Sequence, residues 1–188
     1  MRYRWRFDTY VVGKEDAPGI VVIQEWWGVD YEIKNHVVKI SQLGSGFKAL
    51  IPDLYRGKVG LDVAEAKHLM DGLDWQEVGA AIAFNAVPAS QLADPAQAKA
   101  PVQAHFGELD NYVGFSYVTA AKALEEKLKA SGVPHEVHIY PGNAHAFMNR
   151  STEVIQRMKN MGMLDEDEAS VQLAWSRFET WMTHYLSC

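Results

Sequence analysis

Three side chains able to move protons stand just beyond apolar runs of this 188-residue chain. Glu25 follows IVVIQ (20–24), Asp110 closes HFGELD (105–110), and His145 lies in YPGNAHAF (140–147). An aspartate and then a histidine, on the exits of two successive strands with a helix between them, fit the acid and the base of a hydrolase triad. The carboxylate would hold the imidazole's tautomer and stabilise its cation. The other ring nitrogen would take a proton from a nucleophile. The alternative is a loop aspartate and an exposed histidine that never meet.

The elements that would carry these residues are written in the hydrophobic pattern. Residues 20–24 read as a buried strand after the turn Pro18-Gly19. Asp30 can cap a helix with Ile33, Val37, Ile40 and Leu43 inward, ended by Gly44. Phe47 to Ile51 is a second strand, closed by Pro52, and Asp62 can cap a helix with Val63, Ala66 and Met70 on one face. Residues 80–87 and 102–106 are further strand candidates. Ser116 is read as the cap of a helix with Val118, Ala121, Leu124 and Leu128 inward, stopped by Gly132 and Pro134. Residues 136–140 form a fifth strand. A closing helix starts at Ser170, with Val171, Trp175, Phe178, Met182 and Tyr185 along one face. Strands alternating with helices imply an α/β fold, a parallel sheet covered on both sides. Sites in such sheets gather beyond the C-terminal ends of the strands, where Glu25, Asp110 and His145 fall.

Composition removes other classes. The formal net charge of −6 argues against nucleic-acid binding, which needs a basic stripe to displace counterions. No apolar stretch approaches membrane-spanning length. MRYRWRFD (1–8) alternates like a strand and not like a secretory leader. A single cysteine, Cys188, leaves no internal disulfide and no cysteine-rich metal site. His135 and His138 are three apart in a strand and face opposite ways, and His36, His68, His105 and His184 are scattered. No metal is expected, and no cofactor. A cytoplasmic protein of one domain, 1–188, is the simplest reading.

Together, VVIQEWWGVD (21–30), IPDLY (51–55), ADPAQAKAPVQAHFGELD (93–110) and YPGNAHAF (140–147) resemble the dienelactone hydrolase family, within the α/β-hydrolase fold. The resemblance implies hydrolysis of small esters or lactones by a Cys-His-Asp triad, with Asp110 as the acid and His145 as the base. It implies that Glu25 contacts the nucleophilic thiol and helps to activate it. A carboxylate bonded within a tight strand-to-helix loop is the plainer alternative. Trp26 and Trp27 would wall the pocket, or else pack in the core. Tyr55 and Arg56 fall where the family contacts a substrate carboxylate, although Arg56 is read first as a solvated arginine.

One part of the family pattern has no counterpart. The nucleophile belongs in a strand–Gly-x-Cys-x-Gly–helix elbow, whose backbone amides also make the oxyanion hole. Where it should lie the chain runs HLMDGLDWQEVGAAIAFNAV (68–87), from a helix straight into the strand that normally follows the elbow's helix. The domain thus reads as internally shortened near 76–77. Cys188 lacks glycine flanks and a feeding strand. Gly114-Phe115-Ser116-Tyr117-Val118 ends in valine, and Gly44-Ser45-Gly46 has the wrong spacing. The expectation is a base and an acid with no nucleophile, impaired or inactive as an enzyme. Loss of the central strand would also leave neighbouring strands to pair with each other or to expose edges that favour self-association. The rival expectation is a non-catalytic binding or regulatory protein, or an isoform that pairs with a full-length relative.

Overall fold

The computed structural model describes residues 8–71, 94–113, 115–162 and 167–186. The strand candidate at 80–87, the join near 76–77, most of MRYRWRFD and Cys188 lie outside them. The chain divides into two compact units, Met1–Ile82 and Ala83–Cys188, each described in its own right.

In the first unit, β1 (Thr9–Val12), β2 (Gly19–Val21) and β3 (Lys48–Pro52) form a sheet ordered β1-β3-β2. β2 is parallel and β1 antiparallel to β3. The parallel pair was expected; β1 was not, because TYVV is short and largely exposed. The run 20–24 is shorter as a strand than expected. Its pairing reaches Val22, whose N–H donates to the Leu50 carbonyl at 2.8 Å. Ile20 and Val22 are buried while Val21 is 60% exposed, so the run alternates as a half-buried strand does.

Helix α1 (Tyr31–Gln42) forms as its sequence dictates. The Asp30 carboxylate accepts the Ile33 N–H at 3.1 Å, satisfying one of the otherwise orphaned first-turn donors. Ile33, Val37 and Ile40 are buried. Leu43 is the extended C-cap, and Gly44 follows with a positive φ of 53°. Helix α2 (Val63–Asp71) is capped by Asp62, which accepts the Glu65 N–H at 2.8 Å, while Glu65 Oε2 accepts the Leu61 N–H at 3.0 Å. Ala66 is its buried contact and Val63 is exposed.

In the second unit, β4 (Val102–Gly107) and β5 (His135–Tyr140) pair in parallel. Helix α3 (Val118–Ser131) crosses between them and places Ala121, Leu124 and Leu128 against Phe106. It ends at Gly132, which takes the left-handed conformation with φ 76°. Its N-cap is Tyr117, with no side-chain cap hydrogen bond. Ser116 is therefore not the cap its sequence context suggested.

Two helices follow. α4 (Thr152–Asn160) was not expected: only Val154 and Met158 are buried in it, too thin an apolar stripe to read. α5 (Glu168–Leu186) begins two residues before Ser170. Asp167 accepts the Ala169 N–H at 3.1 Å and the Ser170 hydroxyl at 3.2 Å. Val171, Trp175 and Phe178 are buried as expected, whereas Tyr185 is exposed.

The sheet face opposite α3 is polar. His105 is buried between the Tyr140 hydroxyl (2.8 Å from Nδ1) and Gln103 Oε1 (3.0 Å from Nε2). Gln103 donates in turn to Glu136 at 2.9 Å and to the Arg177 carbonyl of α5 at 3.3 Å. The Arg177 guanidinium lies 5.4 Å from the Tyr140 ring centroid. Burial keeps His105 neutral; an amide oxygen can only accept, so the ring's one proton sits on Nε2 and Nδ1 accepts from Tyr140. Burial, with the charges of His138 and Arg177, pushes it down to about 3, against a smaller opposing effect of Glu136.

Candidate active site

The strands of the second unit bring Asp110 and His145 together. Parallel pairing puts the exits of β4 and β5 side by side, and the two exit loops continue the contact. Glu108 N–H donates to the Tyr140 carbonyl at 2.9 Å, and Leu109 N–H to the Asn143 carbonyl at 2.8 Å. The last residue of β4 has to be small for this: a Cβ on Gly107 would stand 2.4 Å from the carbonyl oxygens of both Asn143 and Ala144. Asn143, fully buried, ties the second loop down, donating to the Pro141 carbonyl at 2.8 Å and accepting the Asp167 N–H at 3.3 Å.

Asp110 is 6% exposed. Its Oδ2 lies 2.8 Å from His145 Nδ1, and its Oδ1 accepts the Tyr112 N–H at 3.1 Å. Burial alone would push the Asp110 carboxyl up. The hydrogen bond and charge of His145, the Tyr112 amide and the Ser116 hydroxyl outweigh it and hold the group below its ordinary value. It is therefore an ionised acceptor at neutral pH. The His145 ring keeps a part-exposed edge, its side chain 21% exposed. Tyr112 packs edge-on to it with centroids 4.7 Å apart, and Phe115 lies at 6.1 Å. Ala146, next in the chain, takes a left-handed φ of 58° and is buried with Val154 and Met158. That conformation costs a non-glycine residue on the order of 1 kcal/mol and turns the chain sharply after His145.

Ser116 joins the pair. Its Oγ is 3.1 Å from His145 Nδ1, and it is fully buried. Sequence reasoning missed Ser116, Tyr112 and Phe115 as neighbours of His145. The available signal was their position in the loop of Asp110, which an α/β fold must bring to the strand exits.

The remaining candidates lie in the first unit. The Glu25 carbonyl accepts the Gly28 N–H at 3.0 Å in a tight turn. Gly28 has φ 98°, and a Cβ there would be 2.8 Å from the Lys58 carbonyl oxygen; glycine is the residue that fits. Trp26 and Trp27 meet edge-to-face at 4.9 Å, with Trp27 buried. The Tyr55 hydroxyl donates to the Trp26 carbonyl at 3.0 Å. Arg56 is exposed with φ 56°, on a turn where Asp53 accepts the N–H groups of Tyr55 (3.2 Å) and Gly57 (2.6 Å). Among the described residues no group of three or more His, Cys, Asp or Glu is placed to hold a metal ion. No described helix is long and apolar enough to cross a membrane.

The fold has counterparts among solved structures. One is a protein of Klebsiella pneumoniae subsp. pneumoniae MGH 78578 assigned as a dienelactone hydrolase. It matches with a TM-score of 0.63 at 17% identity, over 94% of this chain and 92% of that one. Another is P91, a dienelactone hydrolase-like promiscuous phosphotriesterase from metagenomic libraries. Its TM-score is 0.66 at 16% identity, over 94% of this chain and 91% of that one. The architecture is that of the α/β-hydrolase fold. In sequence, Protein usf of Aquifex pyrophilus is 23% identical over 223 aligned positions, 93% of this chain and 91% of that protein. The alignment is longer than the chain, so that relative carries residues with no counterpart here. The model of the dienelactone hydrolase family matches residues 7–81 and 74–186, and the chain belongs to that family.

Proposed function

We propose that the chain keeps the proton-transfer half of a hydrolase for small esters or lactones and lacks the thiol half. The observation that carries this reading is the 2.8 Å contact between His145 Nδ1 and a buried, ionised Asp110. A carboxylate there fixes the proton on Nδ1 and leaves Nε2 as the basic nitrogen, which is the arrangement a nucleophile needs from its base. In the complete family site, Nε2 would stand by a cysteine thiol, with Glu25 assisting its activation and Trp26, Trp27, Tyr55 and Arg56 around the substrate. In this chain no Gly-x-Cys-x-Gly unit supplies that thiol. Without a nucleophile and its oxyanion hole, a thiolate acyl-enzyme cannot form, and turnover by that route is lost or severely impaired.

Two findings support an internal shortening. The family model matches in two stretches, 7–81 and 74–186, that overlap around 76–77, and the Aquifex relative carries additional residues, whose place in the chain is not fixed by that match. A tryptic peptide spanning Gln76–Glu77 in native protein would support a genuine short form; recovering only peptides from an intervening elbow segment would rule it out. Such a protein would work in the cytoplasm. Hydrolysis of nitrophenyl acetate is the test of the catalytic reading: turnover well above buffer that disappears in His145→Ala would overturn it.

A second reading has one observation in its favour. β2 is an edge strand among the described residues, and its Val21 is 60% exposed. An apolar edge strand invites pairing with another chain, which suits a non-catalytic isoform that binds a full-length relative or a second copy of itself. Co-purification with such a relative, without ester turnover, would favour it.

A further inference from the structure

We propose that Asn143 is a positioning residue of His145: its buried amide completes the N-terminal cap of α5 and so keys the loop that carries the histidine to the start of that helix. The inference rests on the reading of Asp110 and His145 as an acid–base pair and names what holds the histidine's side of it.

Helix α5 starts with an incomplete cap of its own. The Asp167 carbonyl accepts the Val171 N–H at 3.1 Å, and the Asp167 carboxylate accepts the Ala169 N–H and the Ser170 hydroxyl. Asp167 is therefore the cap residue. In a self-sufficient cap, the third residue onward is Glu or Gln, whose side chain reaches back to accept the cap residue's own N–H. Here that position is Ser170, and its hydrogen goes to the Asp167 carboxylate. The acceptor comes instead from 24 residues upstream: Asn143 Oδ1 takes the Asp167 N–H at 3.3 Å.

Asn143 can do this in one orientation only. The residue is fully buried, and a buried amide has to find partners for both of its ends. Its nitrogen donates to the Pro141 carbonyl at 2.8 Å, which leaves the oxygen for Asp167. Turned end for end, the amide would set oxygen against carbonyl and nitrogen against N–H, and both bonds would be lost. The backbone of the same residue serves the acid's loop, its carbonyl accepting the Leu109 N–H at 2.8 Å. Asn143 thus joins three segments: the exit loop of β4, the exit loop of β5 and the start of α5.

His145 lies two residues further on. Beyond it, the Arg150 guanidinium meets the Glu168 carboxylate at 2.9 Å. The start of α5 therefore grips the segment on both sides of the histidine. The two grips are unequal. The Arg150 and Glu168 side chains are 38% and 57% exposed, and an ion pair in water adds little. The Asn143 amide is out of water, where a lost hydrogen bond is costly. Asp110 orients the imidazole once the ring is within reach; Asn143 sets where the loop presents it.

The test reads the two ends of this linkage and not turnover, so it does not depend on the chain being an active enzyme. In the full-length protein labelled with 15N, long-range proton–nitrogen spectra report the His145 tautomer and the exchange of its Nδ1 proton with water; the signal is assigned by its loss in H145Q. Amide exchange at Ala169 and Val171 reports the first turn of α5. The wild type is expected to show the Nδ1–H form. N143A should speed exchange of the ring proton and of both amides by roughly fivefold, the factor that one modest hydrogen bond represents. L128A is the control. It removes part of the apolar core at the end of α3 remote from the strand exits, so it should lower global stability and leave both readouts as in the wild type. If N143A does not fold, N143S, whose hydroxyl is too short to reach Asp167, carries the comparison. Readouts unchanged in the Asn143 variant, or matched by L128A, would make Asn143 an ordinary packing residue and overturn its role. A wild-type ring without the Nδ1–H form would instead overturn the acid–base reading on which that role rests.

Discussion

Gly107 and Ala144 touch where no side chain would fit: a Cβ on Gly107 would stand 2.4 Å from the Ala144 carbonyl oxygen, one residue before His145. Gly107 ends the strand that delivers Asp110, and Ala144 belongs to the loop that delivers His145. The distance between Asp110 and His145 thus depends on a backbone approach that only glycine permits.

Gly107→Ala should force the two loops apart. The obstructing atoms are backbone carbonyls and cannot swing aside, so the expected destabilisation is about 1–3 kcal/mol. The His145 ring should also lose its Nδ1–H signature. Denaturant melting and histidine nitrogen spectra measure the two effects; a variant with wild-type stability and tautomer would show that the loops do not need this approach.

Asp110→Asn should cost about 1–3 kcal/mol at neutral pH, since it leaves the His145 Nδ1–H with a poorer acceptor. The folded Asp110 carboxyl sits below its ordinary value of 3.8. Its contribution is therefore fully present above that value and is lost as pH falls through the folded one. The stability gap between wild type and D110N should close in acid; a gap that persists once the carboxyl is fully protonated would contradict the ionised pair.

His105 predicts a second acid sensitivity at a different pH. Its folded value of about 3 lies under its ordinary 6.5, so between these limits the unfolded chain binds the extra proton. Stability should then fall as pH is lowered from 6.5 towards 3, by up to roughly 4 kcal/mol. His105→Gln, which can still donate to Gln103 and accept from Tyr140, should flatten this slope by about one proton. An unchanged slope in H105Q would place the proton elsewhere.

Much of this was legible in the sequence where the physics is local. The cap Asp30 and the stripe Ile33, Val37, Ile40 specify α1 without outside help, because cap and stripe lie within one helix. Asp110 and His145 were legible as a pair because strand exits in a parallel sheet converge. Ser116 was misread for the same reason that Asp30 was read correctly: a serine ahead of an apolar stripe looks like a cap. Its real partner is 29 residues away, a distance no local pattern reports. The need for glycine at position 107 is equally invisible, since the atoms that exclude a side chain belong to residues 143 and 144.

The place of β2 at the edge of the described sheet carries its own prediction. If Val21 marks a pairing edge, the purified chain should associate with rising concentration, and Val21→Lys should suppress that association. Sedimentation of both proteins over a hundredfold concentration range decides it; a monomer throughout would remove the support for the second reading.

The central claim is that a competent acid–base pair here has no thiol to serve. Stopped-flow hydrolysis of nitrophenyl acetate by wild type and His145→Ala tests it most directly. The account predicts no burst of nitrophenol and near-buffer steady rates that coincide in the two proteins. A stoichiometric burst followed by turnover, both abolished in H145A, would contradict it, because an acyl-enzyme would then have formed on a nucleophile that His145 activates.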